Sequence, residues 1–234
     1  MYKEKSILAL IPARGGSKGI KNKNIVVLAG KPLLTYTISA AQEAACFDRI
    51  VVSTDSDEIA RTAKEWGADI PFMRPAELAS DEAKSEPVAT HALKALEEQG
   101  ETYDIVVYLQ PTSPLRQASH IIGAIDFFIE RNLPSLVSVC LVREHPLYMR
   151  TMENDGRLKN IVNIKSDVRR QDLSQYYKLN GAIYINNTDD ILSCWRGNDN
   201  LYGYIMDSIS SLDIDSYEDL QFAENKMQTR IFYK

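Results

Sequence analysis

Four cations, Arg14, Lys18, Lys21 and Lys23, fall within ten residues alongside Gly15, Gly16 and Gly19. Glycine lets backbone N–H groups approach an anion closely and the side chains supply charge, so the stretch suits a di- or triphosphate. The plainer reading is a solvated basic loop. Two familiar phosphate templates fail: Gly15 to Lys21 does not satisfy GxxxxGK[ST], and there is no GxGxxG, so a Walker-type ATPase and a dinucleotide site both lose their fingerprint. Near the other end, Asp213 and Asp215 stand at i and i+2. In extended chain such carboxylates point the same way and can ligate one hard cation such as Mg²⁺. Alternatively Asp215 or Ser216 is only the N-terminal cap region of the last helix, with Glu218 and Asp219 complementing its dipole. A phosphate loop in the same domain favours the metal, because Mg²⁺ takes one or two carboxylates plus substrate phosphates.

These groups need a frame. Ser6 to Ala13 is a short apolar run ending at Pro12, and Pro32 to Ala45 has helical spacing with proline at its start. The basic loop therefore lies after a first strand and before a first helix, where ligands of open α/β sheets bind. The alternation continues with Arg49 to Ser53 as a buried strand and Ser56 to Trp66 as a helix capped by Ser56 and stopped at Gly67. Glu86 to Gln99 and Ser119 to Arg131 read as helices, and Asp104 to Leu109 and Ser135 to Val142 as strands. Strands apolar throughout predict a parallel sheet covered on both faces. From Arg143 to about Lys178 the chain turns polar, with Asn154-Asp155-Gly156 as a turn, and reads as an inserted lobe. Strands at Gly181 to Asn186 and Leu201 to Met206 follow, then a helix from Ser216 to about Gln228. The expected architecture is one α/β domain from residues 1–142 and 179–234, carrying a lobe at 143–178.

Composition narrows the partners. The 234 residues are 44% hydrophobic and 25% charged, the balance of a folded domain rather than a disordered chain. A net charge of -5 disfavours nucleic acid and anionic lipid as partners, so any polyanion must meet a local basic site. No run of about 18 apolar residues occurs, which argues against a membrane span. Three cysteines without CxxC spacing fit a reducing, cytoplasmic compartment and give no zinc site. The three histidines are not in metal-ligand spacing.

Five segments, Ile11 to Asn24 (IPARGGSKGIKNKN), Arg74 to Asp81 (RPAELASD), Leu109 to Arg116 (LQPTSPLR), Asn180 to Asn186 (NGAIYIN) and Asp213 to Asp215 (DID), resemble in order the motifs of the acylneuraminate cytidylyltransferases. The resemblance spans nearly the whole chain. It implies a Rossmann-like, mostly parallel sheet of the nucleotide-diphospho-sugar transferase type, with the small lobe serving dimerisation. It also implies an Mg²⁺-dependent enzyme that joins CTP to the anomeric hydroxyl of a nonulosonic acid and releases pyrophosphate. On the family's pattern, Arg14, Ser17, Lys18, Lys23, Asn24, Arg74 and Ser85 bind the nucleotide, and Asp213 and Asp215 hold the metal. Gln110, Arg170, Lys178, Asn180 and Tyr184 fall to the sugar side, and Arg14, Lys23 and Asp215 carry catalysis. A homodimer is the implied assembly.

The sugar half departs most. Sialate enzymes typically read RPNG where this chain has Lys178-Leu179-Asn180-Gly181, and Tyr148 stands where some relatives carry lysine. Lys178 and the Arg170-Gln171 pair keep cations for a sugar carboxylate. Trp195, Tyr184 or Tyr202 could meet a larger N-acyl group of a legionaminic-type sugar, or be packing. The intact Gln110 to Pro114 string favours CTP over GTP. Rival readings are a nucleotidyltransferase for another sugar, such as Kdo or a sugar 1-phosphate, and a nucleotide-binding relative without catalysis.

Overall fold

The computed structural model describes all residues except 18, 163–172, 195–200 and 232–234, and the side chains of 194, 230 and 231. Its centre is a six-stranded sheet in the order β10-β6-β9-β5-β1-β4. The strands are β1 (Ile7–Pro12), β4 (Arg49–Ser53), β5 (Ile105–Leu109), β6 (Ser135–Leu141), β9 (Tyr177–Asn187) and β10 (Tyr202–Ile205). Two small hairpins lie outside it, β2 (Val27–Leu28) with β3 (Lys31–Pro32), and β7 (Arg150–Met152) with β8 (Leu158–Asn160).

Around β1 and β5 both faces are covered, as unbroken apolar strands require. Ile7, Ala9 and Ile11 of β1 pack with α1 (Leu33–Ala44), α2 (Asp57–Glu65) and α4 (Ala118–Glu130). Leu8 and Leu10 face the other way, toward α3 (Ser85–Glu97) and Ile191 of the short α5 (Thr188–Cys194). Period-two alternation thus splits one strand between two cores. Each fully buried Leu or Ile contributes roughly 1.5–3 kcal/mol of transfer free energy. Local signals place the helices: the Ser56 hydroxyl accepts from Ile59 N at 3.4 Å, and Gly67 and Gly100 take φ of +81° just past α2 and α3.

The sheet is mostly parallel, as expected, and its exception is β9, which runs antiparallel to both β5 and β6. The cause is its connection. Parallel neighbours need a crossover, whereas the excursion after β6 returns beside its own departure point, pairing Leu141 with Tyr177. The polar excursion is therefore the long loop of a hairpin. Tyr177 and Lys178, placed with the lobe by their sequence, belong to the sheet, and β7 and β8 form a separate ribbon within the loop.

A third, smaller cluster positions the chemistry. Ile20 from the basic loop, Leu28, Leu33, Ile214 and Ala223 of α6 (Tyr217–Ile231) are buried together. Ile20 and Ile214 pull the phosphate loop and the acidic pair, nearly 200 residues apart in sequence, onto one seam.

Candidate active site

A cavity of about 530 Å³ opens where β1 and β5 end, lined by Arg14, Ser17, Lys23, Asn24, Arg74 and Ser85 among others. All of the expected nucleotide residues meet there except Lys18, which lies outside the described residues. The Arg14 guanidinium ion-pairs with Asp81 at 2.5 Å. Asn22, at φ +53°, turns the chain into a 3-10 turn over Lys23–Ile25 that presents Lys23 and Asn24. The Asn24 side chain is buried and its amide donates to the Arg14 carbonyl at 2.9 Å, bracing the loop from within the cavity lining. Gly15 N donates to Asp55 Oδ1 at 2.8 Å, anchoring the loop to the end of β4.

Arg74 is only 6% exposed, and burial pushes its pKa down. Its Nε donates to Ser53 Oγ at 3.1 Å and one terminal nitrogen to the Ser53 carbonyl at 2.5 Å. Ser85 opens α3 and hydrogen-bonds Tyr108, another wall of the cavity.

The acidic pair meets the basic loop directly. Lys23 Nζ donates to the Ile214 carbonyl at 2.8 Å and to Asp215 Oδ1 at 3.0 Å. Gly19 is required for this approach: a Cβ there would stand 2.6 Å from the Asp215 carbonyl oxygen. One of the three glycines thus serves packing of loop on acidic strand, a role distinct from exposing N–H groups to an anion.

The capping alternative holds at Ser216 and not at Asp215. Ser216 and Asp219 cap α6 between themselves, Ser216 Oγ accepting from Asp219 N at 3.2 Å and Asp219 Oδ2 accepting from Ser216 N at 2.8 Å. Neither Asp213 nor Asp215 uses its carboxylate as that cap. Asp213 Oδ1 is buried without a hydrogen-bond partner, and burial, reinforced by the Asp215 charge, raises its pKa above the ordinary carboxylate value. A buried carboxylate oxygen lacking a donor, with a second carboxylate two residues on, fits a hard divalent cation. No group of three or more potential ligands occurs among the described residues, so substrate oxygens would complete the shell.

A second cavity, about 1010 Å³, lies beside the first and is lined by Lys178, Asn180, Gly181, Tyr184, Asp213 and Phe222 among others. Gln110 and Asp215 line both cavities. Of the expected sugar residues, Gln110, Lys178, Asn180 and Tyr184 meet here, while Arg170 lies outside the described residues, as do Gln171 and Trp195. Asn180 lines this cavity with its amide bonded into the wall. Its Oδ1 accepts from Ser138 Oγ at 2.5 Å and its Nδ2 donates to Ser211 Oγ at 2.8 Å, so its amide is consumed in the wall. That bonding falls where the β6–β9 register shifts, and Gly181 follows at φ +73° with room for the Gln110 side chain beside it. Tyr202 sits exposed on β10, away from this lining, and Tyr148 lines a separate hollow with His145 and Tyr176.

Sequence reasoning gave no role to Arg116, the last residue of the LQPTSPLR segment. It is 3% exposed, donating to the carbonyls of Gln110 (3.0 Å) and Ala182 (2.7 Å) and to Thr37 Oγ1 (2.6 Å). Burial holds its pKa down to about 9. Asp55, Asp81 and Arg143 were also passed over. Nothing in their local sequence marks them, since each acts through contacts across the chain or through the cavity wall it forms.

A three-layer α/β sheet with a polar cavity at its strand ends is a nucleotide-binding frame. The chain matches the model of the cytidylyltransferase family over residues 8–234. It belongs to that family. It is 38% identical over 221 residues to an N-acylneuraminate cytidylyltransferase of Escherichia coli, covering 93% of this chain and 51% of that one. It is 37% identical over 234 residues to a CMP-N,N'-diacetyllegionaminic acid synthase of Legionella pneumophila, covering 95% and 96%. The chain thus spans about half the length of the first relative and nearly all of the second. Among solved structures, a CMP:2-keto-3-deoxy-manno-octonic acid synthetase complexed with CTP superposes with a TM-score of 0.72 at 16% identity, over 96% of this chain and 99% of that one. That likeness establishes the fold.

Proposed function

We propose that this protein transfers the cytidylyl group of CTP to the anomeric hydroxyl of a nonulosonic acid, of the N-acetylneuraminic or legionaminic type, releasing pyrophosphate. The observation that carries this reading is the pair of adjoining cavities meeting at Gln110 and Asp215. A nucleotide in the first cavity and a sugar in the second bring α-phosphate and hydroxyl together at that junction. The new bond joins the sugar oxygen to the α-phosphorus as the bond from that phosphorus to the oxygen bridging the β-phosphate breaks, pyrophosphate leaving and the hydroxyl proton passing to solvent.

Such a displacement needs positioning and charge neutralisation more than a protein nucleophile. Arg14, Ser17, Lys18 and Lys23 neutralise and orient the triphosphate, and Arg74 and Ser85 set the base side. Lys23 and Arg14 stabilise charge moving onto pyrophosphate. Asp213 and Asp215 would hold Mg²⁺, which would supply Lewis-acid neutralisation of charge on the phosphate oxygens. Asp215, at the junction, faces the attacking hydroxyl. On the sugar side Lys178 and Arg170 answer the carboxylate, Tyr184 and Gln110 border the ring, and Asn180 shapes the wall.

The same reading assigns dimerisation to the lobe at 143–178. Met152, Leu158 and Ile161 there are more than half exposed, an apolar surface that a second copy would cover. The deciding experiment is pyrophosphate release with CTP and Mg²⁺ in parallel with N-acetylneuraminic acid, di-N-acetyllegionaminic acid and Kdo, with GTP as base control. Release with CTP and one nonulosonic acid is expected. Release only with Kdo or GTP, or none from folded protein that binds CTP, overturns the assignment.

A further inference from the structure

Lys23 faces two ways. It lines the nucleotide cavity, yet its ammonium is tied to Asp215 Oδ1 at 3.0 Å and to the Ile214 carbonyl at 2.8 Å. The lysine side chain is 17% exposed and the aspartate 77%. The cation is thus the sequestered member of the pair, fixed by a carbonyl as well as a carboxylate, while the carboxylate projects into the open junction. Gly19 holds the loop against this strand, so the pairing is part of how loop and acidic strand dock. Asp213 Oδ1, two residues earlier, is left buried without a donor.

We propose that Lys23 is a guard on the metal site: in the free enzyme it occupies Asp215 and lowers affinity for a divalent cation, and an incoming triphosphate draws it away. This rests on the assignment of Asp213 and Asp215 as metal ligands. Nucleotide and metal then bind with positive coupling, and linkage makes the coupling reciprocal. The physical cause is local. A dication must compete with an ammonium that sits 3.0 Å from Asp215 Oδ1 and tolerate that like charge nearby, whereas triphosphate oxygens give the ammonium a stronger partner. The coupling restrains metal from settling at the junction before the nucleotide arrives.

The test uses Mn²⁺ binding to the nucleotide-free protein, followed by electron paramagnetic resonance of the free ion. Wild type, Lys23→Met, Lys23→Arg and Lys84→Met are compared. Lys84 lines the same cavity and is the control for removal of charge alone. Lys23→Met should bind Mn²⁺ at least about fivefold tighter than wild type, while Lys23→Arg, which can keep the pair, and Lys84→Met stay within about twofold. Equal tightening in Lys23→Met and Lys84→Met overturns the guard in favour of general charge, and no tightening in Lys23→Met overturns it outright. Adding Asp215→Ala to Lys23→Met should abolish the gained affinity. If Mn²⁺ binding is indifferent to Asp213→Ala and Asp215→Ala in every background, with or without CTP, the metal assignment itself falls.

Discussion

At the scale of single residues, the proposed function gives the neighbours Asp215 and Lys23 different jobs. Asp215→Ala should remove at least about 99% of Mg²⁺-dependent turnover while circular dichroism and CTP binding persist. Unchanged turnover at saturating Mg²⁺ would exclude it as a ligand. Lys23→Ala should lower kcat on the order of 10² if it neutralises charge in the transition state, whereas a raised KM at full kcat would mark ground-state binding only. The identity of these two residues was readable from sequence, because charge type and i, i+2 spacing are local properties. Their direct contact was not, since it depends on Ile20 packing beside Ile214 and on the space left by Gly19. Asn24 and Asn180 show the converse limit. An amide in a functional motif can as readily brace the motif as touch a ligand, and only the partner atoms decide.

Among the elements, the turn after β5 is held by Arg116, whose guanidinium ties the Gln110 carbonyl to β9 and α1. Arg116→Met strands these acceptors and should destabilise the fold by about 2–4 kcal/mol in urea denaturation, with KM for both substrates rising as Gln110 loses its brace. Gly19→Ala should cost about 1–3 kcal/mol, since the added methyl meets backbone rather than a movable side-chain tip. A smaller, pH-dependent effect belongs to the loop before β5. The Ser6 N–H and hydroxyl hold the Asp104 carboxylate below its ordinary pKa. That stabilisation is fully present above the unfolded pKa, about 3.9, and is lost as pH falls through the lower folded value. Asp104→Asn should therefore shrink the acid-side loss of stability in urea midpoints measured from pH 2 to 6. Helix ends such as Ser56 and Gly67 were legible because caps are local, while the direction of β9 was not, because it follows from where the excursion after β6 returns.

For the whole molecule, the apolar side chains on β7 and β8 bear on assembly. If a second copy covers them, the double change Met152→Asp with Leu158→Asp should convert a dimer to a monomer in sedimentation while leaving CTP binding intact. An unshifted sedimentation coefficient would place the interface elsewhere. None of the described helices is long and apolar enough to cross a membrane.

The partition of the two cavities along the chain has an evolutionary consequence. Apart from Asp215, every residue lining the nucleotide cavity lies between Pro12 and Thr112, and apart from Gln110, every residue lining its neighbour lies between Cys140 and Phe222. On the proposed function, inheritance of the donor site and of the acceptor site is therefore nearly separable by a single crossover near residue 115. A lineage can exchange acceptors by altering its second half while its first half is kept under unchanged selection. Relatives named for different sugars that align along more than nine-tenths of this chain are the expected outcome of such descent.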